Sequence, residues 1–229
     1  MMNGKAFVAE FIGTFTLVFC GIGAIAVASA GSAGLLAIAL AHGLALVVMV
    51  TATAAVSGGH LNPAVSFGVW LAGKLRFANL VGYVIAQVLG ALTATALILA
   101  AMPEQVRAAS FGTPALAPGV SVGSALVLEA VLTFFLVFTV FTTAIDRRAP
   151  RLGGLFIGLS VTMGILVAGP LTGAALNPAR HLGPALVAGG EFVAQAWIYW
   201  LGPLAGGALA ALLYRGVIEE RVETPRPLN

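Results

Sequence analysis

The tripeptide Asn-Pro-Ala occurs twice, as Asn62-Pro63-Ala64 and as Asn177-Pro178-Ala179. Proline suits the first position of a helix, where its missing N–H would have no partner anyway. Asparagine before it is a strong N-cap. Its side-chain oxygen accepts orphan backbone N–H groups, and its NH₂ stays available to donate. Two such caps facing each other present two amide donors to a small neutral molecule carrying a lone pair. Each helix N-terminus adds about half a positive charge, and the combined field opposes cations, protons included. One Asn-Pro pair is an ordinary helix start; two copies at equivalent points of a repeat mark a site. Three charged residues are placed at membrane depth: Glu10, Glu129 and Arg180. Arg180 follows the second Asn-Pro-Ala directly. It reads as a fixed cation in a narrow passage, repelling cations and donating hydrogen bonds.

The elements that must hold these residues follow from composition. The chain has 229 residues, 60% of them hydrophobic and only 8% charged. A soluble domain carries about 25% charged residues, so this chain lacks a polar skin and belongs in a bilayer. Six apolar stretches are long enough to span: Ala6–Ala28, Leu35–Val56, Ala78–Ala101, Gly123–Ile145, Gly153–Ala168 and Phe192–Val217. Pro63–Gly73 and Pro178–Ala188 are too short, each being roughly half of a core about 30 Å thick. Met1 to Phe11 run straight into the first apolar stretch, which reads as a retained helix and not a cleaved leader.

The chain repeats itself. Ser57 to Ala64 matches Thr172 to Ala179, and Glu10-x-x-x-Thr14 matches Glu129-x-x-x-Thr133. Each half, about 6–101 and 123–217, holds three spanning helices and one half-helix. An odd number of crossings inverts the second half relative to the first, and interrupted segments at matching positions mark the transport site. The whole chain, 1–229, reads as a single channel domain with a cytoplasmic tail over 218–229. Lys5, Lys74, Arg76, Arg147, Arg148, Arg151, Arg215, Arg221 and Arg226 fall on one side, against Arg107 on the other. Both termini are therefore expected in the cytoplasm, with the chain in a plasma or inner membrane.

The segments Ser57 to Ser66 (SGGHLNPAVS), Gly82 to Ala91 and Tyr199 to Gly207, with the second Asn-Pro-Ala-Arg, resemble the aquaporin, or major intrinsic protein, family. The resemblance covers nearly the whole chain. It implies an all-α membrane fold of six tilted helices and two re-entrant half-helices, one pore per subunit, and a homotetramer in the lipid bilayer. It implies that Glu10 and Glu129 brace the half-helix loops. Those loops would then offer pore-facing carbonyls from Gly58, Gly59 and His60 and from Gly173, Ala174 and Ala175.

The family's filter positions fall, by count from the two Asn-Pro-Ala anchors, on His42, Ile165, Ala174 and Arg180. Strict water channels usually have Phe and His at the first two, and glycerol channels Trp and Gly, so this chain departs from both. Its set is similar to that of some plant tonoplast intrinsic proteins, which implies water as the permeant, with ammonia or urea as further solutes. Glycerol channels usually have Asp after the filter arginine and a basic residue four further on; here stand His181 and Ala185. His181 reads as a polar residue on a helix surface. In some plant relatives the loop equivalent to Met102–Ser121 supplies a histidine, which this loop lacks.

The leading expectation is a passive channel for water and small neutral solutes that excludes protons and ions. A glycerol-type facilitator is the nearest alternative. From another class, a coupled secondary transporter would use Glu10 and Glu129 as its proton or ion site. A membrane enzyme built on Ser57 and His60 lacks a convincing third member. No cofactor or metal is expected: Cys20 is the single cysteine, which excludes an internal disulfide and a cysteine cluster. Basic residues do not cluster with aromatics, so no nucleic-acid partner is expected.

Overall fold

The computed structural model describes residues 3–220. The expected tail over 218–229 lies mostly outside them, as do Arg221 and Arg226. The described residues form helices joined by turns. The long ones are α1 (Gly4–Ser29), α2 (Leu35–Ser57), α4 (Phe77–Ala101), α6 (Val122–Val140), α7 (Gly153–Thr172) and α10 (Ala196–Leu213). The half-helices are α3 (Pro63–Leu71) and α8 (Pro178–Ala188). Three short helical pieces follow α4 or α8: α5 (Pro103–Ala108), a turn at Ser110–Gly112, and α9 (Gly190–Ala194). Six segments are long and apolar enough to cross a membrane. Their outward faces are set with exposed Leu and Val, such as Leu44, Val48, Leu201 and Leu209, as lipid contact requires.

Local chemistry sets the boundaries. Asn3 caps α1, its side chain accepting the Lys5 N–H at 3.0 Å. Gly58 and Gly173 end α2 and α7 with φ of +91° and +80°. Only glycine takes that conformation without a Cβ penalty. The helix α7 runs to Thr172, past the expected end at Ala168, and holds Pro170 within its last turn. The preceding Gly169 carries no Cβ for the proline ring to strike. The last expected span divides at Gln195 into α9 and α10.

Within the first half α1 packs on α2 and α4; within the second α6 packs on α7 and α10. The α2–α7 contact joins the halves. Each half-helix is exchanged: α8 lies against α4 of the first half, and α3 against α10 of the second. Matching glycines let the helices approach. A Cβ on Gly90 would meet the Phe11 carbonyl at 2.4 Å, and one on Gly206 the Ala130 carbonyl at 2.1 Å. The largest apolar core gathers Leu46, Leu61, Val65, Leu136, Val161 and Leu176 around the half-helix junction.

Candidate functional site

The half-helices meet through their caps. Asn62 Oδ1 accepts the Ala64 N–H at 2.8 Å. Asn177 Oδ1 accepts from Ala179 and Arg180 at 3.0 and 3.2 Å. Each amide also crosses to the other half. Asn62 Nδ2 donates to the Leu176 carbonyl at 2.8 Å, and Asn177 Nδ2 to the Leu61 carbonyl at 2.9 Å. One N–H of each NH₂ is thus used inside the protein, and one remains.

Leu61 and Leu176 have φ of +52° and +51°, a region non-glycine residues enter at a cost of about 1–3 kcal/mol. Hydrogen bonds on both sides hold them there. Glu10 accepts four donors: Ser57 Oγ (2.6 Å) and the His60 N–H (2.9 Å) on Oε1, the Leu61 N–H (2.6 Å) and Gln87 Nε2 (2.7 Å) on Oε2. Glu129 accepts three: Thr172 Oγ1 (2.8 Å) and the Ala175 N–H (3.0 Å) on Oε1, the Leu176 N–H (2.8 Å) on Oε2. Tyr83 donates to the Ser57 carbonyl and Tyr199 to the Thr172 carbonyl, at 2.8 and 2.7 Å. No described protein donor reaches the carbonyls of Gly58, His60, Gly173, Ala174 or Ala175.

Three spaces lie in file through the chain. An inner vestibule of about 950 Å³ is bordered by Ser57, Gly58, His60, Lys74 and Arg151. An outer vestibule of about 410 Å³ is bordered by His42, Ile165, Gly173 and Arg180 and by the 109–117 loop. A narrow middle of about 20 Å³ lies between them. It shares His60 with the inner space and His42, Ile165 and Arg180 with the outer one. Asn62, Asn177, Ala174 and Ala175 line it too. A single water needs roughly 10–15 Å³ of such space, so the middle has room for about one water at a time. Gly59, expected among the pore-facing carbonyls, borders none of the three spaces; it packs on α2, where a Cβ would meet the Val50 carbonyl at 3.0 Å. Pro63, Pro178, Ala64 and Ala179 are buried at the half-helix starts.

Arg180 and His42 are both 3% exposed. Arg180 Nε donates to His42 Nε2 at 3.2 Å, while His42 Nδ1 lies 2.9 Å from the Ile38 carbonyl. A carbonyl can only accept, so Nδ1 carries the ring proton and Nε2 accepts the hydrogen bond from Arg180 Nε–H: the imidazole is held neutral in one tautomer. Arg180 Nη1 has no partner among the described residues.

The second half-helix differs from expectation at His181. Its side chain is fully buried, stacked on Tyr199 with centroids 4.0 Å apart and planes 13° apart. The helix α8 packs on α4, α10 and the 110–112 turn; its exposed residues are Leu186 and Val187 near its C-terminal end, and His181 lies on the covered face.

Together these features are a re-entrant pair of capped half-helices around one narrow path. The pattern of the major intrinsic protein family matches residues 1–214. The chain belongs to that family. Its members are channels and not enzymes. The chain is 47% identical to aquaporin TIP2-1 of Zea mays, covering 93% of this chain and 87% of that one. It is 43% identical to aquaporin TIP2-3 of Arabidopsis thaliana, covering 96% and 91%. Among solved structures, the aquaglyceroporin from Plasmodium falciparum superposes with a TM-score of 0.84 at 28% identity, over 94% of this chain and 96% of that one.

Several residues of the major intrinsic protein site escape a reading by motif. Tyr83, Tyr199 and the two leucines before the asparagines act through the loop backbone, and Gln87 acts through the Glu10 carboxylate and Ser66 Oγ. The available signal is the repeat itself, which aligns Ser57 with Thr172, both hydroxyls bonded to the bracing glutamates.

Proposed function

We propose that the chain is a passive channel that conducts water across a membrane, with urea and ammonia as further permeants. One observation carries this reading: a narrow space lined by Asn62, Asn177 and Arg180 lies between two vestibules and shares lining residues with both. A water in that path loses most of its neighbours. The free N–H of each asparagine, Arg180 Nη1 and the unengaged loop carbonyls replace them. The half-helix N-termini point their positive ends at the same place, and with the Arg180 charge they oppose cations. Ile165 presents an apolar wall and Ala174 a small one, which leaves room for a neutral solute larger than water. We read His42, Ile165, Ala174 and Arg180 as the selectivity filter, and Glu10 and Glu129 as braces of the loops.

Both carboxylates are engaged by loop donors, which leaves a coupled transporter without a free ion or proton site. The basic residues of the described chain support cytoplasmic termini. The TIP-type relatives lend no support to the plasma or inner membrane expected from the sequence. A homotetramer is carried over from the family resemblance; the exposed apolar helix faces support contact with lipid or with further copies.

The test is the purified chain in liposomes, followed by light scattering after osmotic shock. The expected result is raised water permeability with no saturation and no dependence on an ion gradient. No increase over empty liposomes would overturn the reading. Urea, ammonium and glycerol gradients across the same vesicles rank the solutes and decide against a glycerol facilitator if glycerol is excluded.

A further inference from the structure

The filter histidine leans on a helix that contributes nothing else to the filter. A Cβ built on Gly21 of α1 would lie 2.3 Å from His42 Nε2 and 2.8 Å from Cδ2 and Cε1. The imidazole therefore occupies the place where a side chain of α1 would otherwise be. Nε2, the atom closest to that Cβ, is also the one that accepts Arg180 Nε–H. The other nitrogen is tied to the Ile38 carbonyl of its own helix. His42 borders the narrow middle, with Ile165 and Ala174 among its other lining residues.

We propose that Gly21 is a positioning residue for selectivity: its missing side chain sets how far His42 withdraws from the path and keeps His42 and Arg180 bonded. This rests on the reading of His42 and Arg180 as filter residues. Any side chain at position 21 forces the ring out of its recess. The α2 backbone lies behind the ring, so it moves toward Ile165 and Ala174 and gives up the Arg180 bond. The path narrows at its widest-gauge solute, a small neutral amide such as urea, before it narrows for water.

The experiment compares Gly21→Ala, His42→Ala and the double variant in liposomes, measuring water and urea flux on each. In Gly21→Ala the urea flux is expected to fall about tenfold relative to water flux, equivalent to about 1.4 kcal/mol of barrier. In the His42→Ala background the same Gly21→Ala change is expected to alter neither flux, because the ring it would strike is gone. A generally destabilising glycine substitution would reduce flux in both backgrounds, and that result overturns the proposal. So does an unchanged urea-to-water ratio in Gly21→Ala alone. If Gly21→Ala fails to fold, the double variant must still fold and conduct like His42→Ala, or the proposal is wrong. Failure of the underlying reading looks different: the parent chain would conduct no water. If the parent excludes urea, water flux across the same four proteins carries the comparison.

Discussion

Asn62 donates from Nδ2 to the carbonyl oxygen of Leu176 at 2.8 Å, across 114 positions of sequence. With the reciprocal bond from Asn177 to Leu61, it fastens each half-helix to the turn that begins the other. The asparagines therefore have two tasks, capping their own helix and fixing the partner loop in its left-handed conformation.

Removing either amide loosens both halves. Loss of an N-cap costs about 0.5–2 kcal/mol. Asn177 Oδ1 takes two backbone N–H groups where Asn62 Oδ1 takes one. Asn177→Ala is therefore expected to lower the thermal unfolding midpoint in detergent more than Asn62→Ala. Equal midpoints would show that the additional cap bond contributes nothing.

The two bracing carboxylates are not equivalent. In Glu10 each oxygen accepts two donors, so a glutamine NH₂ there opposes the His60 or the Leu61 N–H and also forces Ser57 Oγ or the Gln87 amide to reverse. In Glu129 one oxygen accepts only the Leu176 N–H, and a glutamine NH₂ on that side opposes a single donor. An unsatisfied buried group costs about 1–3 kcal/mol. Glu10→Gln is expected to be the more destabilising, because reversing the Gln87 amide or the Ser57 hydroxyl disturbs further bonds to Ser66 and Gly59, measured as the difference in denaturation midpoints of the two variants. The reverse order would refute the argument.

The filter reading is tested by exchange of its two unusual positions. His42→Phe with Ile165→His fills the recess beside Gly21 and places a polar wall opposite. Urea and ammonia permeabilities are expected to fall about tenfold or more, a barrier increase of about 1.4 kcal/mol, while water still passes. Unchanged permeability to both solutes would move the filter elsewhere.

Mercury offers a chemical probe of the same wall. Cys20 is exposed on α1 and borders none of the three spaces, whereas Ala174 lines the narrow middle. The parent chain is expected to show weak mercury sensitivity, and Ala174→Cys to show strong block reversed by a thiol. Stopped-flow light scattering with and without mercuric chloride distinguishes the two. Strong block of the parent that vanishes in Cys20→Ser would place Cys20 in the path instead.

The inner end carries a pH-sensitive tie. Arg148 holds the Asp146 carboxylate by side-chain bonds from Nε (2.9 Å) and Nη2 (2.6 Å) and by its own N–H (3.0 Å). Those bonds lower the Asp146 pKa to about 2, and the carboxylate in turn raises that of Arg148. Arg148 Nη2 also reaches the Ile218 carbonyl at 3.0 Å, and Nη1 reaches Glu220. Lys74 adds a further ion pair to Glu219. A depressed carboxylate pKa stabilises the folded form above its free value, about 3.9, and the stabilisation is lost as pH falls toward 2. Amide exchange at residues 147–149 is expected to stay slow relative to Asp146→Asn at pH 7 and to approach that variant between pH 4 and 2. Identical exchange at pH 7 would show that the tie does not hold the loop.

Much of this protein is written in short-range pattern. The apolar spans, the half-helices and the inverted repeat are visible because bilayer thickness, proline at a helix start and charge asymmetry each leave a mark on a contiguous stretch. The resemblance to the family implies four filter positions, and counting from Asn62 and Asn177 places them at His42, Ile165, Ala174 and Arg180. Glu10 and Glu129 stand out because a carboxylate in an apolar helix demands a partner. Contacts between distant segments leave no such mark. The crossed asparagine bonds, the left-handed Leu61 and Leu176, and the contribution of Gln87 to one brace only depend on exchanged half-helices. His181 looks like a surface residue until its face of α8 is packed against Tyr199, and Gly21 is one small residue among many until the His42 ring is set against it. Periodicity and spacing report what a helix does with its own neighbours. The width of the path depends on which side chain is absent where two helices cross, and that is a property of packing in three dimensions.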